Sequence, residues 1–166
     1  LTVAPKERPL VPTTTTTLID DAASIWLNPA NLGYRRGSAS NLLFRGYQNT
    51  DYDLSYAQKT GNLGLGVRYH QFENGGWWST AGGFSFKLSD TMRFGTNITW
   101  QVPNGDAENF FGWDLAATWR IAPWLGLSGV MHNIGSEGDV DNDILTIARE
   151  ERRLGGALRL FNGALQ

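Results

Sequence analysis

Apolar and polar residues alternate one by one along most of this chain, and the polar residue of each pair is usually small. Tyr52, Leu54 and Tyr56 stand opposite Asp53, Ser55 and Ala57; Leu63, Leu65, Val67 and Tyr69 stand opposite Gly64, Gly66, Arg68 and His70. Trp78, Thr80, Gly82, Phe84, Phe86 and Leu88 oppose Ser79, Ala81, Gly83, Ser85 and Lys87. Met92, Phe94, Thr96, Ile98, Trp100 and Val102 oppose Arg93, Gly95, Asn97, Thr99 and Gln101. The pattern continues through Phe111 to Ile121, Leu125 to His132 and Arg153 to Leu160. A period of two is the signature of strands, and none of these runs makes a helical stripe. With a less regular candidate at Leu42–Gln48, whose Leu42, Leu43 and Phe44 run together, the chain predicts about eight strands. Most approach the ~9–11 residues that cross a bilayer when tilted.

The connections sharpen this. Those around Lys59–Asn62, Ser89–Thr91 and Ala122-Pro123 are short, whereas those at Glu73, Pro103 and Asn133 are longer; the hairpin at Asn49-Thr50 breaks the rule by being short. Outer-membrane barrels divide their turns in this way. Tyr52, Tyr69, Trp78, Trp100 and Trp113 gather toward the long-loop ends, Phe94 and Trp119 toward the other, as two interfacial girdles would. The expected fold is therefore all-β: an antiparallel up-and-down barrel of outer-membrane type with about eight strands. A soluble sandwich or lipocalin-like barrel, its apolar faces inward, gives the same alternation. It is disfavoured by polar faces rich in Gly, Ser, Ala and Thr, where a solvated sheet carries many Lys and Glu.

Composition agrees. The 166 residues include 20 glycines and seven tryptophans, with no cysteine to suggest disulfides or thiolate metal sites. The net charge of −2 offers no basic excess for nucleic acid. Mean hydropathy is −0.30, which excludes little, because a membrane barrel averages lipid-facing and lumen-facing residues. No apolar run is long enough for a transmembrane helix. A start at Leu1 with no signal peptide fits a trimmed export product.

Ahead of the strands lie two further segments. Residues 1–19, with Pro5, Pro9, Pro12 and Thr13 to Thr17, read as extended. Residues 20–36 hold a compact apolar knot, in which Asp20 or Asp21 caps a short helical turn through Trp26 and Asn28-Pro29 stops it. Such a knot before a sheet, 37–166 in extent, reads as a plug or an anchor. On a barrel reading the lumen receives Arg68, His70, Lys87, Arg93, Arg120, Arg153 and Arg159 against Asp53 and Asp114. A mildly basic interior attracts an anionic head group; alternatively, these charges pair with one another or with the plug and fill the lumen.

No enzyme, cofactor or metal site is expected. His70 and His132 lack ligand spacing, and Ser24 has no spaced base. Asp139, Asp141 and Asp143 with Glu150 follow EF-hand spacing, but Ile144 occupies the position of the required glycine. Gly64-Leu65-Gly66 lacks a phosphate-cradling context and reads as strand glycine.

The stretch Ala22-Ala23-Ser24-Ile25-Trp26-Leu27-Asn28-Pro29-Ala30-Asn31-Leu32-Gly33 resembles the N-terminal signature of the outer-membrane long-chain fatty-acid transporter family. Related barrels share that signature, including the shuttle component of the type IX secretion system. It is also similar to the opening of the N-terminal barrel-like region of some myxobacterial signal peptide peptidase homologues. Asn31 stands where the family often has glycine. The resemblance implies that Asn28, Pro29 and Ala30, with the neighbouring Trp26, belong to a lumenal hatch. It also implies a place in the bacterial outer membrane of a Gram-negative cell, and uptake or binding of a hydrophobic or anionic lipid-like solute. The implied partners are outer-membrane lipid, a hydrophobic small molecule, and other barrel or periplasmic subunits. The family barrel has more strands than this chain supplies. A small closed barrel, a segment of a larger one, and a barrel shared among chains all remain open. The alternative function is a structural or assembly barrel anchoring a partner or catalytic domain.

Overall fold

The computed structural model describes residues 20–46, 51–72, 75–104, 109–122, 124–134 and 150–158. Eight strands make up one sheet: β1 (Ser38–Gly46), β2 (Tyr52–Thr60), β3 (Leu63–Phe72), β4 (Gly75–Lys87), β5 (Met92–Pro103), β6 (Phe110–Ala122), β7 (Leu125–Ile134) and β8 (Glu151–Leu158). They lie in chain order, each antiparallel to its sequence neighbours, with β1 and β8 as the two edges of an open sheet. The all-β, up-and-down architecture is thus as expected. Residues 1–19, the acidic run 139–143 and Arg159 lie outside the described residues.

The polarity of this sheet is inverted relative to a soluble one. The buried face carries Ser55, Ala57, Ser79, Ala81, Ser85, Asn97, Thr99, Asp114, Ala116, Thr118 and Ser128. The large apolar side chains point the other way: Leu42 is 71% exposed, Leu65 67%, Phe111 63% and Leu154 93%. In this structure the apolar faces point outward. Even the run Leu42-Leu43-Phe44 obeys the period, since Leu42 and Phe44 point outward and Leu43 inward, half-buried.

Several residues expected in loops are strand: Gly75 and Gly76 open β4, Pro103 and Ala122 end β5 and β6, and two further stretches join β1 and β2. Ser38, Ala39 and Ser40 begin β1, because Thr60, Lys59 and Gln58 of β2 offer them ladder partners. Lys59 closes the small-residue series Asp53, Ser55, Ala57 on the buried face, and the turn after it shrinks to Gly61-Asn62, with Gly61 at φ 58°. A positive φ is where glycine costs least.

The outward aromatics form two groups. Phe44, Tyr52, Tyr69 and Trp78 follow one another across β1 to β4 with centroid separations of 6.0, 5.9 and 4.6 Å. Trp100 and Phe111 stack at 6.0 Å on β5 and β6, toward the same end. At the other end, Phe84, Phe86 and Phe94 cluster with separations of 6.4 and 5.7 Å, and Trp119 and Trp124 are exposed. From Trp78 to Phe86 along β4, at about 3.4 Å per residue, the rise is roughly 27 Å.

Candidate functional site

The concave polar face is filled, in part, by residues 20–34. Ser24–Leu27 form a single helical turn, α1, and Pro29–Gly33 a 3₁₀ turn, η1. Asp21 Oδ1 accepts the Ala23 N–H at 2.8 Å just ahead of α1, whose own N-cap is Ala23 and makes no side-chain cap bond, so the expected acidic cap falls one step early. Asn28 is extended (φ −163°, ψ 90°), as a residue before proline must be. Its side chain does two jobs: Oδ1 accepts the Ala30 N–H at 3.1 Å, and Nδ2 donates to Thr118 Oγ1 at 2.9 Å.

This segment establishes that the sheet curls. Leu32 O accepts from Lys59 on β2, while Ala30 packs with Ala116 on β6 and Val130 on β7. In a flat sheet β2 and β7 would stand about 24 Å apart. Residues 30 and 32 are at most about 7.6 Å apart, and a lysine side chain does not span the difference. The wall therefore wraps around the segment.

The fit is made by glycines. A Cβ on Gly64 would lie 2.8 Å from Leu32 Cδ2, one on Gly66 would overlap the Trp26 indole, and one on Gly95 would overlap the Pro29-Ala30 backbone. Ala22, Ile25 and Leu32 are wholly buried and pack with Ala57 and Ala81 of the wall, with Trp26 alongside. Asn97 Nδ2 on β5 donates to Ile25 O at 2.5 Å. Trp26, Asn28, Pro29 and Ala30 thus all sit against the wall.

Of the side chains expected in the interior, three meet the segment's aromatics. Arg68 lies 4.5 Å over the Trp26 ring; Arg93 and Arg120 lie 5.0 and 3.6 Å from the Tyr34 ring, and Arg120 also pairs with Asp20. His70 pairs with the buried Asp53 and stacks on Trp77 at 4.3 Å. Asp114 is buried, with Oδ2 3.1 Å from His132 Nδ1 and Oδ1 accepting the Asn133 N–H at 2.8 Å. Arg153 pairs with Glu151 at 2.6 Å. Lys87 is the exception: it is 52% exposed and pairs with Asp90 of the β4–β5 turn, because β4 ends there and the side chain escapes to the rim. Among the described residues no cluster of His, Asp and Glu has metal-binding geometry.

Lys59 was missed by turn-like sequence reasoning. It is 1% exposed, and its Nζ donates to Leu32 O at 2.6 Å and Arg35 O at 2.5 Å. The available signal was parity, since 59 continues the series 53, 55, 57. Tyr34 joins it at the same end, where its hydroxyl lies 3.1 and 3.0 Å from the carbonyls of Thr91 and Thr118.

Comparison with protein families, curated proteins and solved structures finds no match.

Proposed function

We propose that this chain forms the wall of an outer-membrane β-barrel that binds or passes a hydrophobic or anionic lipid-like solute, with residues 20–33 as its lumenal hatch. The observation that carries the reading is the inverted polarity. Large apolar side chains cover the convex face between two aromatic groups, while Gly, Ser, Ala, Thr and the charges line the concave one. An apolar face of this extent is stable where lipid covers it. The seated segment supports the hatch by its position. The test is flotation with phospholipid vesicles, together with quenching of the convex tryptophans by brominated lipid. Co-flotation with strong quenching is expected; a chain that stays monodisperse without detergent and ignores vesicles overturns the reading. The solute is tested by uptake of a fluorescent long-chain fatty acid into the vesicles, which Asn28→Ala is expected to alter.

A second reading is favoured by one observation: Arg68, Arg93 and Arg120 are already engaged by Trp26, Tyr34 and Asp20. A basic lumen occupied in this way suits a structural wall that anchors a partner or a catalytic domain. Co-purification of a partner from the outer membrane supports it; a chain isolated alone, stable and conducting, counts against it.

A further inference from the structure

We infer that Lys59 is the positioning residue that keeps the N-terminal segment seated, and that without it residues 20–34 leave the wall as a unit while the sheet stays folded. The inference goes beyond the membrane reading and stands on the geometry of the segment alone.

Three observations carry it. First, the ammonium of Lys59 is enclosed between wall and segment, and its two hydrogen bonds both end on backbone carbonyls of the segment's exit, Leu32 O and Arg35 O. With the segment seated, the charged Lys59 donor satisfies both carbonyls, and Leu32 is wholly buried. A variant without the lysine leaves these acceptors short of a partner in the seated state only, because departure gives them to water, and so shifts the balance toward leaving. Second, the strand ladders do not run through the segment. Each strand is hydrogen-bonded to its sequence neighbours, and the segment adds side-chain bonds to that sheet without contributing a strand. Its departure leaves the ladders intact, which is the condition for a locally opening unit. Third, the wall meets the segment closely at glycines 64, 66 and 95, and at the exit the apolar packing of Leu32 is joined by polar holds. Lys59 supplies two bonds and the Tyr34 hydroxyl approaches two more carbonyls.

The test uses the absence of native cysteine. Ser24→Cys places a nearly isosteric thiol on the buried segment, and Ser79→Cys places one on the buried face of β4. Maleimide labelling of each is followed in detergent micelles, with Lys59 intact, as Lys59→Met and as Lys59→Arg. With Lys59 intact, both thiols are expected to label slowly and together. Lys59→Met is expected to speed labelling at position 24 by about tenfold or more, to leave position 79 unchanged, and to be partly rescued by Lys59→Arg. Equal acceleration at both positions overturns the inference, since Lys59 then stabilises the sheet at large. Fast labelling at position 24 with Lys59 intact, or no change in Lys59→Met, overturns it as well. Should Lys59→Met not fold, Tyr34→Phe weakens the same exit without burying a charge; acceleration confined to position 24 supports the inference, and none overturns it. Flotation with vesicles is scored separately, so failure of the membrane reading is distinguishable from failure of this one.

Discussion

Glycine in a strand has two meanings here, and they predict different mutational outcomes. At Gly82 a Cβ would meet Leu65 Cδ2 at 3.6 Å, ordinary contact, whereas at Gly95 it would strike the Pro29-Ala30 backbone. Gly82→Ala is therefore expected to be neutral, and Gly95→Ala to cost about 1–3 kcal/mol through overpacking that backbone cannot relieve; thermal unfolding in detergent checks both. Asn28→Ala removes the Ala30 cap and the Thr118 bond together, for an expected loss of about 1–2 kcal/mol by the same measurement. At the rim, the hydrogen bond and charge of Lys87 hold the exposed Asp90 carboxyl below its ordinary value. Its pairing is present at neutral pH and is lost as acid protonates it, so Lys87→Met should move its carboxyl titration, followed by NMR, upward.

Strands were legible in the sequence because their rule is local: a residue's neighbour tells which face it takes. That rule placed Asp53, Arg68, Asp114 and Arg120 on one face without knowledge of the fold. It failed where turn chemistry spoke louder than parity, as at Lys59-Thr60-Gly61-Asn62, and at Lys87, where β4 ends and the side chain turns out to the rim. The break at Asn28-Pro29 was legible for the same local reason. The segment's partners were not: Thr118, Asn97 and Lys59 are 90, 72 and 27 residues from the groups they bind. Nothing in a short window of sequence signals a glycine cleared for a tryptophan 40 positions earlier, as Gly66 is for Trp26.

The convex face governs how the molecule meets its surroundings. Leu65 lies in the outward apolar band, 67% exposed. Leu65→Arg is expected to weaken insertion into vesicles by about 2–4 kcal/mol if that band sits at the bilayer midplane, measured by denaturant titration in lipid. Asn97→Ser, on the concave face, should leave insertion unchanged. The order of the strands has a different consequence, for the time course of folding. Every strand pairs with its sequence neighbours, across connections of at most 16 residues, so the wall assembles from local pairings. The N-terminal segment has no such option. Asp20 must wait for Arg120, 100 residues on, and Asn28 for Thr118. The residues that leave the ribosome before the strands are the ones whose bonds form late, and in the interval Ile25, Trp26 and Leu32 remain apolar, unsheltered and available to a chaperone.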